Sequence, residues 1–335
     1  MPVVNAPLRA GTVGTGRLGR EHVRVLSGLP GVKLAGVYDK NPERGEAEAQ
    51  PFGVHQAASL EKLIQSCDLI TVVTPTLAHF DVAARIVDAG VACFVEKPLC
   101  ATSAQAEALV QSARQRGVPL GVGHIERYNP AYTAFRRQSV VPRFIEAHRL
   151  SPFALRGTDV AVVFDLMIHD IDLVLHLVGQ APTDVRAAGA AVVSQDLDIC
   201  NARLEFDGAV ANLTASRISP ERRRRFRVFS DSAYTVLDLQ NKSLERYRLF
   251  PSAAARASAG AAGTVLPLGE EGHVVAMEKV VPEAGEMLVS ELSDFVNAVQ
   301  AGHRPPISGE DGLLALRVAE RVHAQAHALL ESFQP

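Results

Sequence analysis

The hydrophobic positions of the first 120 residues follow two alternating patterns. Short runs that are apolar throughout are each followed by a stretch with helical spacing, which is typical of parallel strands covered on both faces by helices. Strands are predicted at 8–14, 32–39, 68–75, 92–98 and 119–124, and helices directly after the first strand and at 42–50, 60–67, 78–90 and 103–117. The pattern therefore predicts a doubly wound α/β domain with a parallel sheet.

The pattern changes after residue 123, where apolar and polar positions begin to alternate. A period of two predicts a mainly antiparallel, open sheet of about six strands, with a hairpin turn at Asp207-Gly208. The predicted strands are 143–150, 198–206, 209–217, 225–230, 234–239 and 243–250. The second part of the chain is therefore expected to form an α/β domain of a different kind.

The remaining segments complete the predicted domain organisation. An Ala/Gly-rich stretch at 252–263 is predicted to be a mobile surface loop, and helices are predicted at 285–301 and 309–331. The chain of 335 residues is long enough for two domains with separate cores. We expect these domains to be 1–123 and 124–335, with the alternative that the C-terminal helices pack back on the first domain.

The composition excludes several classes of protein. Hydrophobic residues make up 47% of the chain, charged residues 21%, and the formal net charge is −3. Such a chain has no general attraction to nucleic acid or to an anionic membrane. We find neither the apolar run of ~20 residues that a membrane helix needs nor a signal peptide. Because the four cysteines form no CxxC pair, we expect buried free thiols in a reducing cytoplasm.

One apolar stretch, FDLMIHDIDLVLHLVG at 164–179, contains several acids and histidines. In a regular helix of about 3.6 residues per turn, a stripe of roughly 60° would contain Asp165, His169, Asp172 and His176. Asp170 would lie well outside this stripe. Burying an unpaired carboxylate costs several kcal/mol, so the stripe must face charged partners, a metal or a wet pocket.

The glycine turn GTGRLG at 14–19 follows the first strand and opens the first helix. It stands 20 residues before Asp39, which ends the second strand. This is the context of the dinucleotide-binding fingerprint. In that fingerprint Gly14 permits the tight turn, Gly16 lets the backbone approach a pyrophosphate, and Gly19 lets helix and strand pack closely. The start of the helix would then hold the phosphates.

The charge of Asp39 indicates which dinucleotide is bound. A carboxylate at this position accepts hydrogen bonds from the adenosine ribose and repels a 2′-phosphate, so NAD is expected as the cofactor. NADP is the alternative, because Arg44 lies close enough in the sequence to accommodate that phosphate.

Three further motifs complete a recognisable pattern. EKP at 96–98 ends a strand at the carboxyl edge of the predicted sheet, TPTLAH occupies 74–79, and Asp165 and His169 form a DxxxH pair. With the glycine turn, these motifs make the chain resemble the Gfo/Idh/MocA oxidoreductase family along nearly its full length. The resemblance implies a Rossmann domain, a C-terminal α/β domain with an open antiparallel sheet, and NAD(P)-dependent oxidation of sugars or cyclitols. It also implies homodimers or homotetramers that form through the C-terminal sheet.

The resemblance implies cofactor contacts at particular positions. Pro75 and Thr76 match the loop along the cofactor, and Glu96 matches a residue near the nicotinamide ribose. For His79, a helix cap is the alternative to a cofactor contact. The candidate cofactor-binding residues are Gly14, Gly16, Arg17, Leu18, Gly19, Asp39, Thr74, Pro75, Thr76, His79, Glu96 and Lys97.

Catalytic roles are also implied, for Lys97, Asp165 and His169. Oxidation of a secondary alcohol needs a base for the hydroxyl proton and a group that stabilises the developing oxyanion. His169 suits the base, since histidine titrates near neutral pH, and Lys97 would stabilise the oxyanion or share the proton. Asp165 would orient the imidazole or bind a neighbouring hydroxyl. The alternatives are a core histidine and a metal site, but no metal is expected because Lys97 would compete with the cation.

A narrower resemblance concerns 123–132, 159–173 and 230–245, which are similar to the branch that oxidises the 3-hydroxyl of UDP-N-acetylglucosamine. A diphosphate favours arginine partners, because arginine binds phosphate through two hydrogen bonds. The candidate substrate-binding residues are Lys97, Arg127, Tyr128, Arg156, Asp165 and His169, with Arg149 as a further arginine for the diphosphate. Ion pairs within the protein are the alternative for each arginine.

Two other functions are compatible with the same motifs. One is an enzyme of this family that acts on inositol, a hexose or another nucleotide sugar. The other is an NAD-binding regulatory protein without turnover, which the presence of Lys97, Asp165 and His169 disfavours. The run Arg222–Arg225 suggests a phosphate or nucleic-acid site, but we interpret it as a solvated face at the entrance of a strand.

Overall fold

The structure, a computed structural model, describes residues 6–138, 140–153, 160–231, 233–258, 263–269, 272–283 and 285–332. These residues form two compact units, one with 6–125 and 286–317 and the other with 126–285 and 318–332. The chain passes from the first unit to the second after residue 125, close to the domain boundary predicted after residue 123. Residues 286–317, which the contiguous division assigned to the second domain, belong to the first unit.

In the described residues, the first unit contains a parallel sheet of five strands. The strands are β1 (Leu8–Val13), β2 (Val32–Tyr38), β3 (Leu69–Val72), β4 (Ala92–Glu96) and β5 (Leu120–Gly123), and the helices are α1 (Arg17–Gly28), α2 (Pro42–Ala49), α3 (Leu60–Ser66), α4 (His79–Asp88) and α5 (Ser103–Arg116). The strand order β2-β1-β3-β4-β5 confirms the predicted doubly wound fold. The order reverses between β1 and β3, and such folds bind ligands at the carboxyl edge of this switch point.

The second unit is built on a nine-stranded sheet. Its strands are β6 (Phe144–Leu150), β7 (Asp184–Ala190), β8 (Ile199–Phe206), β9 (Ala209–Ser216), β10 (Arg223–Phe229), β11 (Ala233–Asp238), β12 (Ser243–Phe250), β13 (Thr264–Leu268) and β14 (His273–Val280), and its helices include α6 (Pro130–Arg136), α7 (Ile168–Val178) and α8 (Ala253–Ser258). The strand order is β13-β14-β12-β11-β10-β6-β9-β8-β7. β6 and β9 are parallel and the other described neighbours are antiparallel, which confirms a mainly antiparallel sheet.

The sheet is larger than the alternation of residues predicts. The expected set of about six strands omits β7, β13 and β14. β7 has the sequence DVRAAGA, which is poor in strand-forming residues, and β13 contains Pro267, which is tolerated because β13 is an edge strand. The predicted loop at 252–263 is wrong in part, because its first half forms α8. Residues 259–262 lie outside the described residues.

Two longer helices follow, α9 (Met287–Ala301) and α10 (Gly309–Ser332). Phe295 of α9 lies in the same buried core as Leu26 of α1 and Phe94 of β4, so α9 is part of the first unit. The rings of Phe295 and Phe94 meet edge to face with centroids 5.3 Å apart. Gly121 leaves room for this ring, since a Cβ there would lie 2.7 Å from it. Among the described helices, none has the length and hydropathy that crossing a membrane requires.

α7 packs against β6 and β9 of the nine-stranded sheet. Ile171 and Val174 of the helix are fully buried, as are Ile145 of β6 and Leu213 of β9. Every second residue of β8 is buried, so one face of the sheet supplies the apolar surface on which the helix lies. This packing fixes the helix that contains His169.

One carboxylate holds the turn before β8. Asp198 is fully buried, and its Oδ2 accepts hydrogen bonds from the N–H groups of Val192, Val193 and Ser194 at 2.8, 2.6 and 2.9 Å. The hydroxyl of Ser194 donates to Oδ1 at 2.8 Å. Burial alone would raise the pKa of Asp198, but these hydrogen bonds outweigh it and lower the pKa to about 2.

We expect Asp198→Asn to lower the free energy of unfolding by about 2 kcal/mol at neutral pH, because the charged acceptor is lost. Since the folded-state pKa is depressed, this contribution is complete above the unfolded pKa of about 4 and decreases as the pH falls toward the folded value. Urea denaturation should therefore show that the difference in the free energy of unfolding between wild type and variant decreases by about half near pH 3. Asp207→Asn, at an exposed hairpin turn, is the control. A difference independent of pH would contradict this role of the carboxylate.

Candidate active site

The glycine turn lies at the switch point of the parallel sheet. Gly14 has a φ of 89°, a left-handed conformation that favours glycine. A Cβ on Gly14 would lie 2.7 Å from the carbonyl oxygen of Val73, which follows β3, and a Cβ on Gly19 would lie 1.8 Å from that of Gly14. The turn, the helix and the neighbouring strand therefore approach to backbone contact.

The first turn of α1 is suited to an anion. No side chain in the described part of the chain caps the helix, and its first turn contains no acidic residue. Among the described residues, no atom lies within 4 Å of a Cβ built on Gly16, so the backbone here faces open space. Amide groups at the start of a helix carry partial positive charge and bind phosphates. These residues fit a dinucleotide diphosphate, which the backbone of Gly16, Arg17 and Leu18 would hold.

Asp39 follows β2 and is 3% exposed. Its Oδ2 accepts hydrogen bonds from the N–H and the hydroxyl of Thr15 at 2.8 and 3.1 Å, and its Oδ1 accepts one from the N–H of Asn41 at 2.9 Å. Arg44 donates to both oxygens at 2.7 and 3.0 Å. Burial alone would raise the pKa of Asp39, but the bonds from Arg44, Asn41 and Thr15 hold it below its ordinary value.

This arrangement changes what Asp39 offers to a ribose. A carboxylate has about four acceptor sites, and protein donors already use those of Asp39. A ribose hydroxyl would therefore compete with the guanidinium of Arg44, which lies beside the carboxylate. Gln56 adds two hydrogen bonds to the backbone of Asp39, at 2.7 and 3.1 Å. Neither Thr15 nor Gln56 could be identified as a partner of Asp39 from the sequence, because no local motif links them.

Glu96 ends β4, and its carboxylate is also held by neighbours in the first unit. Its Oε1 lies 3.1 Å from Nε2 of His22 on α1, and its Oε2 accepts a hydrogen bond from the N–H of Lys97 at 3.2 Å. A Cβ on Gly123 would lie 2.8 Å from this carboxylate, so glycine makes room for it. Burial alone would raise the pKa of Glu96, but the interactions with His22 and Lys97 hold it below its ordinary value. His22 has no sequence signal as a site residue.

His79 is the first residue of α4 and is 1% exposed. Its Nδ1 lies 2.8 Å from the carbonyl oxygen of Pro98, and its Nε2 lies 2.8 Å from that of Thr74. Burial lowers the pKa of His79 below its ordinary value, whereas the two carbonyl oxygens favour the protonated ring. The ring thus connects the loop after β3 with the segment that contains Lys97. Pro75 and Thr76 lie within the connected loop, Pro75 exposed and Thr76 half-buried.

In the second unit, the DxxxH pair lies where the helix changes type. Val163–Met167 forms a π-helical turn that contains Asp165, and α7 begins directly afterwards with His169 in its first turn. Both side chains are half-buried. The assumption of about 3.6 residues per turn throughout 164–179 is therefore wrong at its start, because a π turn contains an additional residue. Such turns are frequent at functional sites.

Two buried arginines compensate the acids of α7. Arg127 binds Asp172 through two hydrogen bonds, from Nη2 to Oδ1 at 2.6 Å and from Nε to Oδ2 at 2.9 Å. Arg149 of β6 donates to Asp170 at 2.8 and 2.9 Å and to Glu126 at 2.8 Å. None of these five residues is more than 9% exposed. Asp170 lies outside the stripe of acids and histidines predicted for a regular helix, yet it is buried like Asp172.

The remaining candidates of this unit have separate surroundings. His176 contacts the buried Tyr132, with 2.9 Å between its Nδ1 and the hydroxyl oxygen. Tyr128 is half-buried, and Arg156 lies outside the described residues. The two described arginines that the sequence offers for a diphosphate are Arg127 and Arg149. Both form ion pairs with carboxylates of the same unit. Within the described ranges, no three His, Cys, Asp or Glu side chains form a group that could hold a metal ion.

Comparisons with known proteins match both parts of the chain. Residues 8–124 match a profile described as an oxidoreductase family with an NAD-binding Rossmann fold, and residues 133–235 match the GFO/IDH/MocA C-terminal domain. A UDP-N-acetylglucosamine 3-dehydrogenase of Acidithiobacillus ferrooxidans is 37% identical over 97% of this chain and 99% of its own length. An inositol 2-dehydrogenase of Rhizobium meliloti is 26% identical over 93% of this chain and 95% of its own length.

The fold is similar to solved structures over the same extent. A UDP-N-acetylglucosamine 3-dehydrogenase structure from Acidithiobacillus ferrooxidans superposes with a TM-score of 0.88 and 36% identity. The similarity covers 97% of this chain and 99% of the solved chain. The Rossmann sheet and the second, mainly antiparallel sheet are therefore shared along nearly the whole length.

The glycine contacts predict a difference between two substitutions on the same helix. Gly19→Ala places a methyl group against the carbonyl oxygen of Gly14, so the turn must shift and dinucleotide affinity should fall at least about tenfold. Gly28→Ala, at the end of α1, meets no atom within 4 Å and should leave affinity unchanged. It should stabilise the helix by about 0.5–1 kcal/mol. Fluorescence titration with NADH measures both variants. Equal affinities would show that the close approach at Gly19 does not serve cofactor binding.

Proposed function

The chain belongs to the GFO/IDH/MocA oxidoreductase family, and we propose that it oxidises the 3-hydroxyl of UDP-N-acetylglucosamine with NAD as its cofactor. The observation that carries this proposal is the 37% identity with a UDP-N-acetylglucosamine 3-dehydrogenase over 97% of the chain. The structure supports it through a glycine turn that fits a dinucleotide and through the presence of Lys97, Asp165 and His169. The presence of Lys97, Asp165 and His169 also disfavours the alternative, an NAD-binding regulatory protein without turnover.

Each residue has a proposed task in this reaction. The nicotinamide, when bound, accepts the hydride from the carbon that is oxidised. His169 removes the hydroxyl proton, and Lys97 stabilises the negative charge that develops on the oxygen. Asp165, in the π turn before α7, orients the imidazole or binds a neighbouring hydroxyl. Glu96 would lie near the nicotinamide ribose, and its contacts with His22 and with the Lys97 N–H hold its carboxylate in place.

The cofactor choice is tested by titration with both dinucleotides. We expect NAD+ to bind more tightly than NADP+, because Asp39 presents a negative charge near the ribose. Arg44 pairs with that carboxylate and reduces the difference. Arg44→Ala should therefore increase the preference for NAD+ by about tenfold. Arg20→Ala, which changes another exposed arginine of the first unit, is the control. Equal or reversed affinities in the wild type would contradict the assignment of NAD.

The roles of Lys97 and His169 predict large effects on turnover. Lys97→Ala and His169→Ala should each lower kcat by about 10²–10⁴. Affinity for NADH should change little, since the chemical step is lost and not the cofactor site. The controls are Lys62→Ala and His55→Ala, which change exposed residues. Prolonged treatment with EDTA should leave the wild type active. Retained turnover in either variant would remove that residue from the mechanism, and activity restored only by added metal would revive a metal-dependent reaction.

The substrate is the finer part of the proposal. UDP-N-acetylglucosamine should be oxidised in preference to myo-inositol and glucose, with NADH formation as the readout. Because a 3-keto product is unfavourable, the assay includes a transaminase that consumes it. Rapid oxidation of a free polyol with no response to any UDP-sugar would instead favour the inositol dehydrogenases, one of which is 26% identical over 93% of the chain.

The two arginines proposed to bind the diphosphate of the substrate, Arg127 and Arg156, are tested differently. Arg127→Ala would remove one side of the buried ion pair with Asp172 and cost about 3–5 kcal/mol, so a lower affinity could reflect damage to the unit. Arg156→Ala avoids this pair and should raise KM for the UDP-sugar more than it lowers kcat, since remote binding is lost before chemistry. An unchanged KM would exclude Arg156 from diphosphate binding.

We also propose that copies of the chain associate through the nine-stranded sheet as homodimers or homotetramers. Phe229, Tyr234 and Tyr247 stack on neighbouring strands, with ring centroids 4.4 and 5.5 Å apart, and supply an aromatic surface for such contact. The four free, buried cysteines support a cytoplasmic location for the enzyme.

A further inference from the structure

A polar cavity of about 480 Å³ lies at one end of the nine-stranded sheet, where β10 and β12 begin and β11 and β14 end. All of its lining residues belong to the second unit. Cations are the commonest charged residues of its lining, which includes Arg222, Arg223, Arg224, Arg225 and Lys279. The run at 222–225, predicted to be a solvated face, is exposed at three of its four positions and also lines this concave space.

The two acids of the described lining lie opposite two of these cations across the sheet, Asp238 opposite Arg225 and Glu245 opposite Lys279, but neither pair is within ion-pair distance. Asp238 accepts hydrogen bonds from the N–H groups of Gln240 and Asn241 at 3.1 and 2.8 Å, and another from the side chain of Asn241 at 2.8 Å. Glu245 accepts one from the hydroxyl of Tyr247 at 3.2 Å. Their hydrogen bonds in the described part of the chain thus stabilise the turn after β11 and a tyrosine of β12, and not the arginines.

The four consecutive arginines differ in their partners. Arg223 pairs with Glu221 at 2.6 Å, and Arg224 pairs with the buried Glu126 at 3.3 Å. Arg222 and Arg225 are exposed, and in the described ranges neither lies within ion-pair distance of a carboxylate. Burial lowers the pKa of Arg224, and the positive charges of Arg149 and Arg222 lower it further, against the opposing effect of Glu126.

We infer that this cavity binds the diphosphate group of a small molecule. The lining brings Arg222, Arg225 and Lys279 to one concave space, and among the described residues none of the three is within ion-pair distance of a carboxylate. Guanidinium groups bind phosphate oxygens through paired, charge-assisted hydrogen bonds, so a diphosphate matches both the charge and the donors. The volume lies within the range of about 300–1,000 Å³ that small-molecule sites occupy. This inference does not rest on the proposed substrate and would stand if that substrate were wrong.

The test uses inorganic pyrophosphate as the probe and isothermal titration calorimetry as the measurement. Every protein in the test carries Arg156→Ala, so that the proposed diphosphate site of the substrate does not bind the probe. Each is first saturated with NADH, so that the glycine turn does not bind it either. We expect one saturable site per chain, weaker binding of inorganic phosphate than of pyrophosphate, and loss of affinity at high salt. The double variant Arg222→Ala/Arg225→Ala should bind pyrophosphate at least about tenfold more weakly, since each charge-assisted hydrogen bond contributes about that much.

Matched variants keep the result interpretable. Arg186→Ala changes an exposed arginine of β7 that already pairs with Asp184, and it should bind pyrophosphate like the Arg156→Ala parent. Arg222→Lys/Arg225→Lys preserves the charges and should recover part of the affinity, which also excludes misfolding as the cause of loss. Binding that persists in the alanine double variant, or its absence from the parent, would overturn the inference. So would a change of oligomeric state in the double variant without pyrophosphate binding by the parent, because the arginines would then contact a second copy of the chain.

Discussion

Charge compensation around α7 determines how the second unit is organised. The helix brings Asp170 and Asp172 into the interior, where an isolated carboxylate would be strongly unfavourable. Arg149 reaches Asp170 from β6, and Arg127 reaches Asp172 from the segment before α6. Removal of one partner from such a buried pair costs about 3–5 kcal/mol, so helix, strand and preceding segment must keep their relative positions. The π turn with Asp165 and the first helical turn with His169 therefore have a fixed support.

The first unit depends on a different constraint, the close approach of backbone to backbone. Gly14 and Gly19 allow α1 to start directly at the carboxyl edge of β1 and β3. The same segment then reaches two neighbouring strands, since Thr15 donates to Asp39 after β2 and His22 contacts Glu96 at the end of β4. The turn and α1 thus contact both carboxylates that we associate with the two ribose groups of the cofactor, Asp39 through Thr15 and Glu96 through His22.

Local patterns were sufficient to predict much of this structure. The alternation of apolar strands and helices, and the spacing from the glycine turn to Asp39, gave the doubly wound unit because each signal is contained within about 30 residues. The partners of the buried charges could not be predicted in this way. Arg127 and Asp172 are 45 residues apart, and Arg149 and Asp170 are 21 residues apart, so only the tertiary fold pairs them. The π turn was missed because a helical periodicity assumes a constant number of residues per turn.

Isotope transfer can establish whether this chain removes a hydride from C3 of a nucleotide sugar. The enzyme is supplied with UDP-N-acetylglucosamine that carries deuterium at C3 and with NAD+, together with the transaminase that consumes the product. Mass spectrometry of the reduced cofactor should then show one deuterium per NADH formed, and the substrate labelled at C4 should give none. Unlabelled NADH from the C3-deuterated sugar, or label transferred from C4, would show that the hydride does not come from C3.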